Sequence, residues 1–203
     1  MAVARYLTDP QPQPQEININ PQGANPAGVL IDDGQPVQFN NNSGSAISIT
    51  FASTAITDEQ VFADIPNIPS GGSFTESPLL QDKAVNYSIT IGQNTCGPFA
   101  IQVGTGAFQI DGTGGNPDPN VAAIPANGNV IFNSTDQNWF FNWEDGDPFR
   151  PPLTEVYVGL ANNQPATEKG ASAKNFSYTL QSSPPPPKSH SVETGGGGTI
   201  KVT

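Results

Sequence analysis

The sequence predicts an all-β protein built as two tandem Greek-key β-sandwiches, and three observations carry that reading. Gly and Pro number 21 each in 203 residues, so helices of about ten residues or more have little room to form. Large apolar residues occupy every second position in residues 86–91 (Asn-Tyr-Ser-Ile-Thr-Ile) and 175–180 (Asn-Phe-Ser-Tyr-Thr-Leu), the period of a strand with one buried and one wet face. Those two segments also resemble each other, and their surroundings do the same in the same order.

The repetition runs through five stations. Ile17 matches Phe108 at 91 residues, Val37 matches Val130 at 93, and Ile47 matches Trp139 at 92. Asn86 matches Asn175 at 89, and Ala100 matches Thr199 at 99. One such match means little, because alternating strands look alike; shared order at near-constant spacing is the signal. Turn-rich connections separate the stations, and Gly34 and Gly128 open the second one. The expected organisation is a Pro/Gln-rich tail over residues 1–16, a first sandwich over 17–104 and a second over 107–203. A linker of a few residues predicts that the sandwiches touch.

Composition narrows the partners. The net charge is -11 with only seven Lys plus Arg, which argues against nucleic acid and anionic membranes, both held by basic patches. No stretch approaches the roughly 20 apolar residues of a membrane span. Residues 1–7 lack the apolar core of a signal peptide. Low Lys with abundant Asn, Thr and Gly points to an extracellular or periplasmic setting after loss of a leader, with the cytoplasm as the alternative. The single cysteine, Cys96, leaves each sandwich without an internal disulfide.

A strand ending Phe39-Asn40, an apolar strand after a small-residue loop, the Asn86-Tyr87-Ser88 strand and a closing Ile101-Gln102-Val103 strand resemble a bacterial cupredoxin-like (plastocyanin-like) domain. The second copy repeats the pattern, so the resemblance implies two sandwiches of cupredoxin-like or immunoglobulin-like layout. Copper-carrying members of that family place a His before the apolar strand and a Cys, a His and usually a Met around the last loop. Here Ala46 and Asn138 stand at the first position, the last loop of the first copy offers Cys96 with no His or Met after it in that loop, and the second offers His190 with no Cys. A blue-copper site needs two imidazoles and a thiolate on one ion. The resemblance therefore implies a scaffold without metal or other cofactor; a copper site completed between subunits by Cys96 and His190 is the alternative.

No catalytic residues are assigned, because the one His lies between a Pro run and a Gly run with no nucleophile or acid motif around it. Asp32, Asp33, Glu144, Asp145 and Asp147 form acidic turns of the kind that also bind calcium. Trp139, Phe141 and Trp143 share one strand face, and aromatic faces of this sort stack on sugars. Their counterparts Ile47, Ile49 and Phe51 cannot, so core is the expected use. Phe140, Phe149 and Tyr157 are left free to be exposed, and residues 147–152 find no counterpart in the first copy. The expected binding surface is Phe140, Phe149, Arg150 and Tyr157. The Pro run at residues 184–187 reads as a spacer, and the Asn-x-Ser/Thr triplets at Asn41, Asn86, Asn133 and Asn175 as products of composition. Together these point to a non-enzymatic structural or binding module that meets a protein partner or itself, with a carbohydrate-binding module as a further alternative.

Overall fold

The computed structural model describes residues 12–52, 60–144, 146–156, 162–165, 174–183 and 194–203. The chain is all-β. Its first half contributes β1 (Gln15–Asn20), β2 (Gly23–Asn25), β3 (Gly28–Ile31), β4 (Val37–Asn41), β5 (Ile47–Phe51), β6 (Ile65–Ile68), β7 (Ser73–Glu76), β8 (Ala84–Ile91) and β9 (Asn94–Val103). These form two sheets, ordered β2-β1-β4-β7 and β3-β9-β8-β5-β6. The second half contributes β10 (Ala107–Asp111), β11 (Val121–Ile124), β12 (Asn129–Asn133), β13 (Trp139–Trp143), β14 (Glu155–Val156), β15 (Asn162–Pro165), β16 (Lys174–Gln181) and β17 (Thr194–Val202). Its sheets are ordered β10-β12-β15 and β11-β17-β16-β13-β14. β1 begins at Gln15, inside the segment expected to be tail, because the Gln15 N–H is held by the Pro36 carbonyl at 2.9 Å.

Alternation fills each sandwich from both sheets. In the first, Ile17 and Phe39 of one sheet meet Ile49, Tyr87 and Ile101 of the other, all at most 2 % exposed. In the second, Ile110 and Phe132 meet Phe141, Tyr178 and Ile200. The aromatic centres correspond: Phe39 meets Tyr87 edge-on at 5.8 Å, and Phe132 meets Tyr178 edge-on at 6.1 Å. Edge-to-face pairs of this type add about 0.5–1.5 kcal/mol beyond burial.

Strand register revises two of the sequence matches. Val37 stands beside Gln15 and Val130 beside Phe108. The positions that correspond are therefore Ile17 and Ile110, opposite Phe39 and Phe132. Tyr87 and Tyr178 likewise correspond, lying opposite Phe51 and Trp143, whereas the sequence match sets Tyr87 against Phe176. Both matches are displaced by two residues. A slip of two keeps every side chain on its face, so alternation cannot detect it. The left-handed position before β12 is Asn127 at φ 63°, the counterpart of Gly34 at φ 75°, rather than Gly128. Asparagine tolerates that conformation.

Tyr87 and Tyr178 are buried to 2 % and 1 %, and neither hydroxyl has a hydrogen-bond partner among the described residues. Burial raises both phenols far above their usual range. An orphaned buried hydroxyl costs about 1–3 kcal/mol of desolvation. Tyr87→Phe and Tyr178→Phe are each expected to raise stability by about 1 kcal/mol, read as higher urea midpoints; a lower midpoint would show that the hydroxyls are satisfied.

The turn after β12 carries a titratable anchor. Asp136 accepts from the Ser134 hydroxyl at 2.7 Å, the Trp139 indole N–H at 3.0 Å and the Gly114 N–H at 2.9 Å. Burial pushes its carboxyl up, but the hydrogen bonds, Ser134 first, outweigh that and hold it at about 2. A depressed carboxyl stabilises the fold above its unfolded value near 3.8, and the contribution disappears as pH falls through about 2. Because Asp136 is exposed, solvent screening limits the effect to about 1 kcal/mol. Asp136→Asn is expected to flatten the stability profile between these values, measured by urea unfolding at several pH values.

Candidate functional site

The two sandwiches meet over a seam of small residues. Val103 ends β9 and Ala107 starts β10, and the intervening turn is tied down: the Thr105 N–H and hydroxyl donate to Asp82 at 2.8 and 2.7 Å. Those two bonds lower the Asp82 carboxyl. Gly106 lies so close to the Lys83 backbone that a Cβ there would stand 2.3 Å from it. Ala84 and Ala100, from β8 and β9, pack in one cluster with Ala122 and Ala123 of β11. Small side chains let the backbones approach, and polar groups then pair across. The Asn86 amide donates to the Ala123 carbonyl at 2.7 Å and accepts from the Ala123 N–H at 3.3 Å, as a strand would. The Asn129 N–H donates to Gln102 at 2.8 Å, and the Lys201 ammonium lies over the Phe99 ring at 5.5 Å.

Beyond Asn86 the sandwiches diverge and enclose a groove of about 710 Å³. Thr50, Ser88 and Thr95 contribute from the first sandwich, and Phe108, Gln109 and Asp118 from the second. Asp118 is the only charged side chain among the described lining residues. Cys96 also borders the groove, but its thiol donates to the Ile89 carbonyl at 3.4 Å. Burial pushes the thiol up, with Lys201 opposing, so it stays protonated at neutral pH.

Of the surface expected at Phe140, Phe149, Arg150 and Tyr157, Phe149 does not belong to it. Phe149 is fully buried, edge-on to Phe132 at 6.1 Å and to Trp143 at 5.9 Å. Phe62 in the first half is equally buried and stacks on Phe51 at 5.2 Å. Each ring extends an aromatic cluster of its core. Burial raises the Asp147 carboxyl, and the N–H groups of Phe149 and Leu153, donating to its two oxygens at 2.8 and 2.5 Å, oppose that. Both oxygens are therefore engaged in holding the loop; Asp145 lies outside the described residues. Arg150 is exposed and donates to the Phe149 carbonyl at 3.0 Å. Phe140 is half-buried, and Tyr157 lies outside the described residues.

The tryptophan face belongs to the core, as expected. The Trp139 indole N–H is bound to Asp136, and the half-buried Trp143 donates to the Leu153 carbonyl at 2.9 Å while stacking on Phe141 at 5.1 Å. Trp139 is buried, and Phe141 takes one face of the Trp143 ring. A blue-copper donor set does not fit either: Ala46 and Asn138 precede β5 and β13, and Cys96 has no imidazole among the described residues. His190 lies outside them.

No protein-family model matches the chain, and no curated relative does. Among solved structures it is similar to a multicopper oxidase at 13 % identity and TM-score 0.31, over 87 % of this chain and 78 % of that one. It is similar to a Cu-containing nitrite reductase (NirK) from Thermus scotoductus at 10 % identity and TM-score 0.35, over 96 % and 68 %. Lac15 from a marine microbial metagenome matches at 12 % identity and TM-score 0.35, over 93 % and 67 %.

Proposed function

We propose that the protein is a non-enzymatic binding and structural module: two copies of one cupredoxin-like sandwich, locked side by side around a groove that receives a partner. The copy relationship is supported by the matching sheet orders and by paired details 93 residues apart. The bridge Asn18–Asn25 recurs as Asp111–Asp118, and the turn bond from Gln35 to Asp32 recurs from Gly128 to Pro125. An extracellular or periplasmic setting belongs to the same proposal, on the composition described above.

The groove carries the functional reading. Its volume of about 710 Å³ falls in the range of ligand-accepting clefts, which favour domain junctions. Its walls supply hydroxyls, an amide, one carboxylate and an apolar floor, groups that bind and orient. Catalysis asks for a nucleophile within reach of a base, and the one thiol at the groove is held protonated by burial and spent on a backbone carbonyl. The test is an amide-resolved NMR titration of the full chain with pools of extended peptides and of oligosaccharides. Shifts gathered at Ser88, Thr95 and Gln109 are the expected result; shifts confined to other faces, or none with any pool, would refute the groove as the site.

A further inference from the structure

One wall of the groove is an open sheet edge. Among the described residues β10 is the outermost strand of its sheet, paired along its length with β12 alone. The Gly112 N–H turns to the Asn133 carbonyl at 2.8 Å, toward β12, whereas Asp111 exchanges bonds of 2.9 and 2.8 Å with Asp118 on the outer side. Backbone groups alternate in direction along a strand. Phe108 and Ile110 therefore bond inward, and the N–H and C=O of Gln109 point outward, where no described residue pairs with them. The same geometry in the first sandwich is extended by a strand: Asn18, the counterpart of Asp111, opens a three-residue pairing of β1 with β2. On β10 that cover shrinks to the single Asp111–Asp118 bridge.

We propose that the groove is a strand-acceptor site, in which residues 2–7 of a second copy pair with the outer edge of β10; this rests on the groove reading above. A strand added there lies about 4.8 Å from β10, in the groove that the small residues Thr50, Ala52 and Ser88 also line. The occupant follows from the sequence of residues 2–7, Ala-Val-Ala-Arg-Tyr-Leu, which places Val3, Arg5 and Leu7 at alternate positions. Its one charged side chain is Arg5, and Asp118 is the one charged residue among the described residues that line the groove. Between Leu7 and β1 stand Pro10, Pro12 and Pro14. A sequence with Pro at every second position favours an extended spacer of about 3.1 Å per residue, so seven residues would span roughly 20 Å, enough to deliver the segment to a neighbour. Main-chain pairing then supplies affinity and the side chains supply register.

Gln109→Pro removes the outward N–H and puts a ring on the edge, yet leaves the inward bonds of Phe108 and Ile110 to β12 intact, the one kind of strand position proline accepts. Gln109→Ala keeps the edge. The experiment is light scattering of the full chain over a concentration series. Concentration-dependent growth is expected for the natural sequence and for Gln109→Ala, and at least tenfold weaker association for Gln109→Pro and for deletion of residues 2–7. Arg5→Glu should weaken association to a similar degree and recover it when combined with Asp118→Lys. The deletion and the charge exchange leave the sandwich untouched, so they decide the matter if Gln109→Pro unfolds. A full chain that stays monomeric, or association that survives the deletion, overturns the strand-acceptor proposal. If Ser88, Thr95 and Gln109 amides still respond to other peptides or to oligosaccharides in that case, the groove itself stands.

Discussion

Replacing Phe149 with alanine is expected to lower the unfolding free energy of the second sandwich by about 3–5 kcal/mol, the usual cost of removing a large aromatic from a packed core. The side chain is fully buried, and its ring touches Phe132 and Trp143 edge-on. Collapse around the cavity is restricted, because Asp147 pins the loop through two backbone bonds and Trp143 is fixed by Leu153. Phe62→Ala should produce a comparable loss in the first sandwich, where Phe62 stacks on Phe51. Phe140→Ala, on the half-buried face of the same strand as Trp139, should change stability by less than about 1 kcal/mol. Urea unfolding followed by tryptophan fluorescence reads the second sandwich directly, since both tryptophans lie there. A loss at Phe149 no larger than at Phe140 would mean that the loop does not close the core.

The second large effect concerns the seam. Asn86→Ala strips partners from the Ala123 N–H and C=O and from the Phe99 carbonyl, which the Asn86 amide also reaches at 3.3 Å. Leaving buried backbone groups unpaired costs about 1–3 kcal/mol each when water cannot replace the partner; with Asn86 only half-buried, a total of about 2–3 kcal/mol is expected. More telling than the size is the form of the unfolding. With the bridge in place the sandwiches should melt together in calorimetry, and in Asn86→Ala the transition should separate into two. A single unchanged transition would show that the alanine packing and the Gln102 contact hold the seam without Asn86. The same amide sits in an Asn-Tyr-Ser triplet; because it is committed to the neighbouring sandwich, a glycan on Asn86 is incompatible with the seam.

Much of the fold was legible before any coordinates. Alternation at Ile17, Phe39, Ile49 and Tyr87 marked strands and their inner faces, because a side-chain period of two is a local property of extended backbone. Recurring order at near-constant spacing marked two similar halves, and the position of Trp139 and Phe141 in the core followed from comparing those halves. Register was less legible. Tyr87 corresponds to Tyr178, and only pairing with β5 and β13 shows it, since a two-residue slip preserves the alternation. The site was least legible of all. Phe149 looked free because loops carry no periodic code, and it is buried because its loop folds over an aromatic cluster assembled from distant strands.

What the sequence by itself determined is the class of structure: all-β and acidic, with inner and outer faces written residue by residue. What only the tertiary structure decided is where the halves touch and what the contact creates. Ala84, Ala100, Ala122 and Ala123 are unremarked small residues in the sequence, yet their packing brings Asn86 to Ala123 and opens the groove where Gln109 presents its backbone edge. Patterns between neighbours in the chain report local conformation. Contacts among residues tens of positions apart depend on shape complementarity that no single strand encodes.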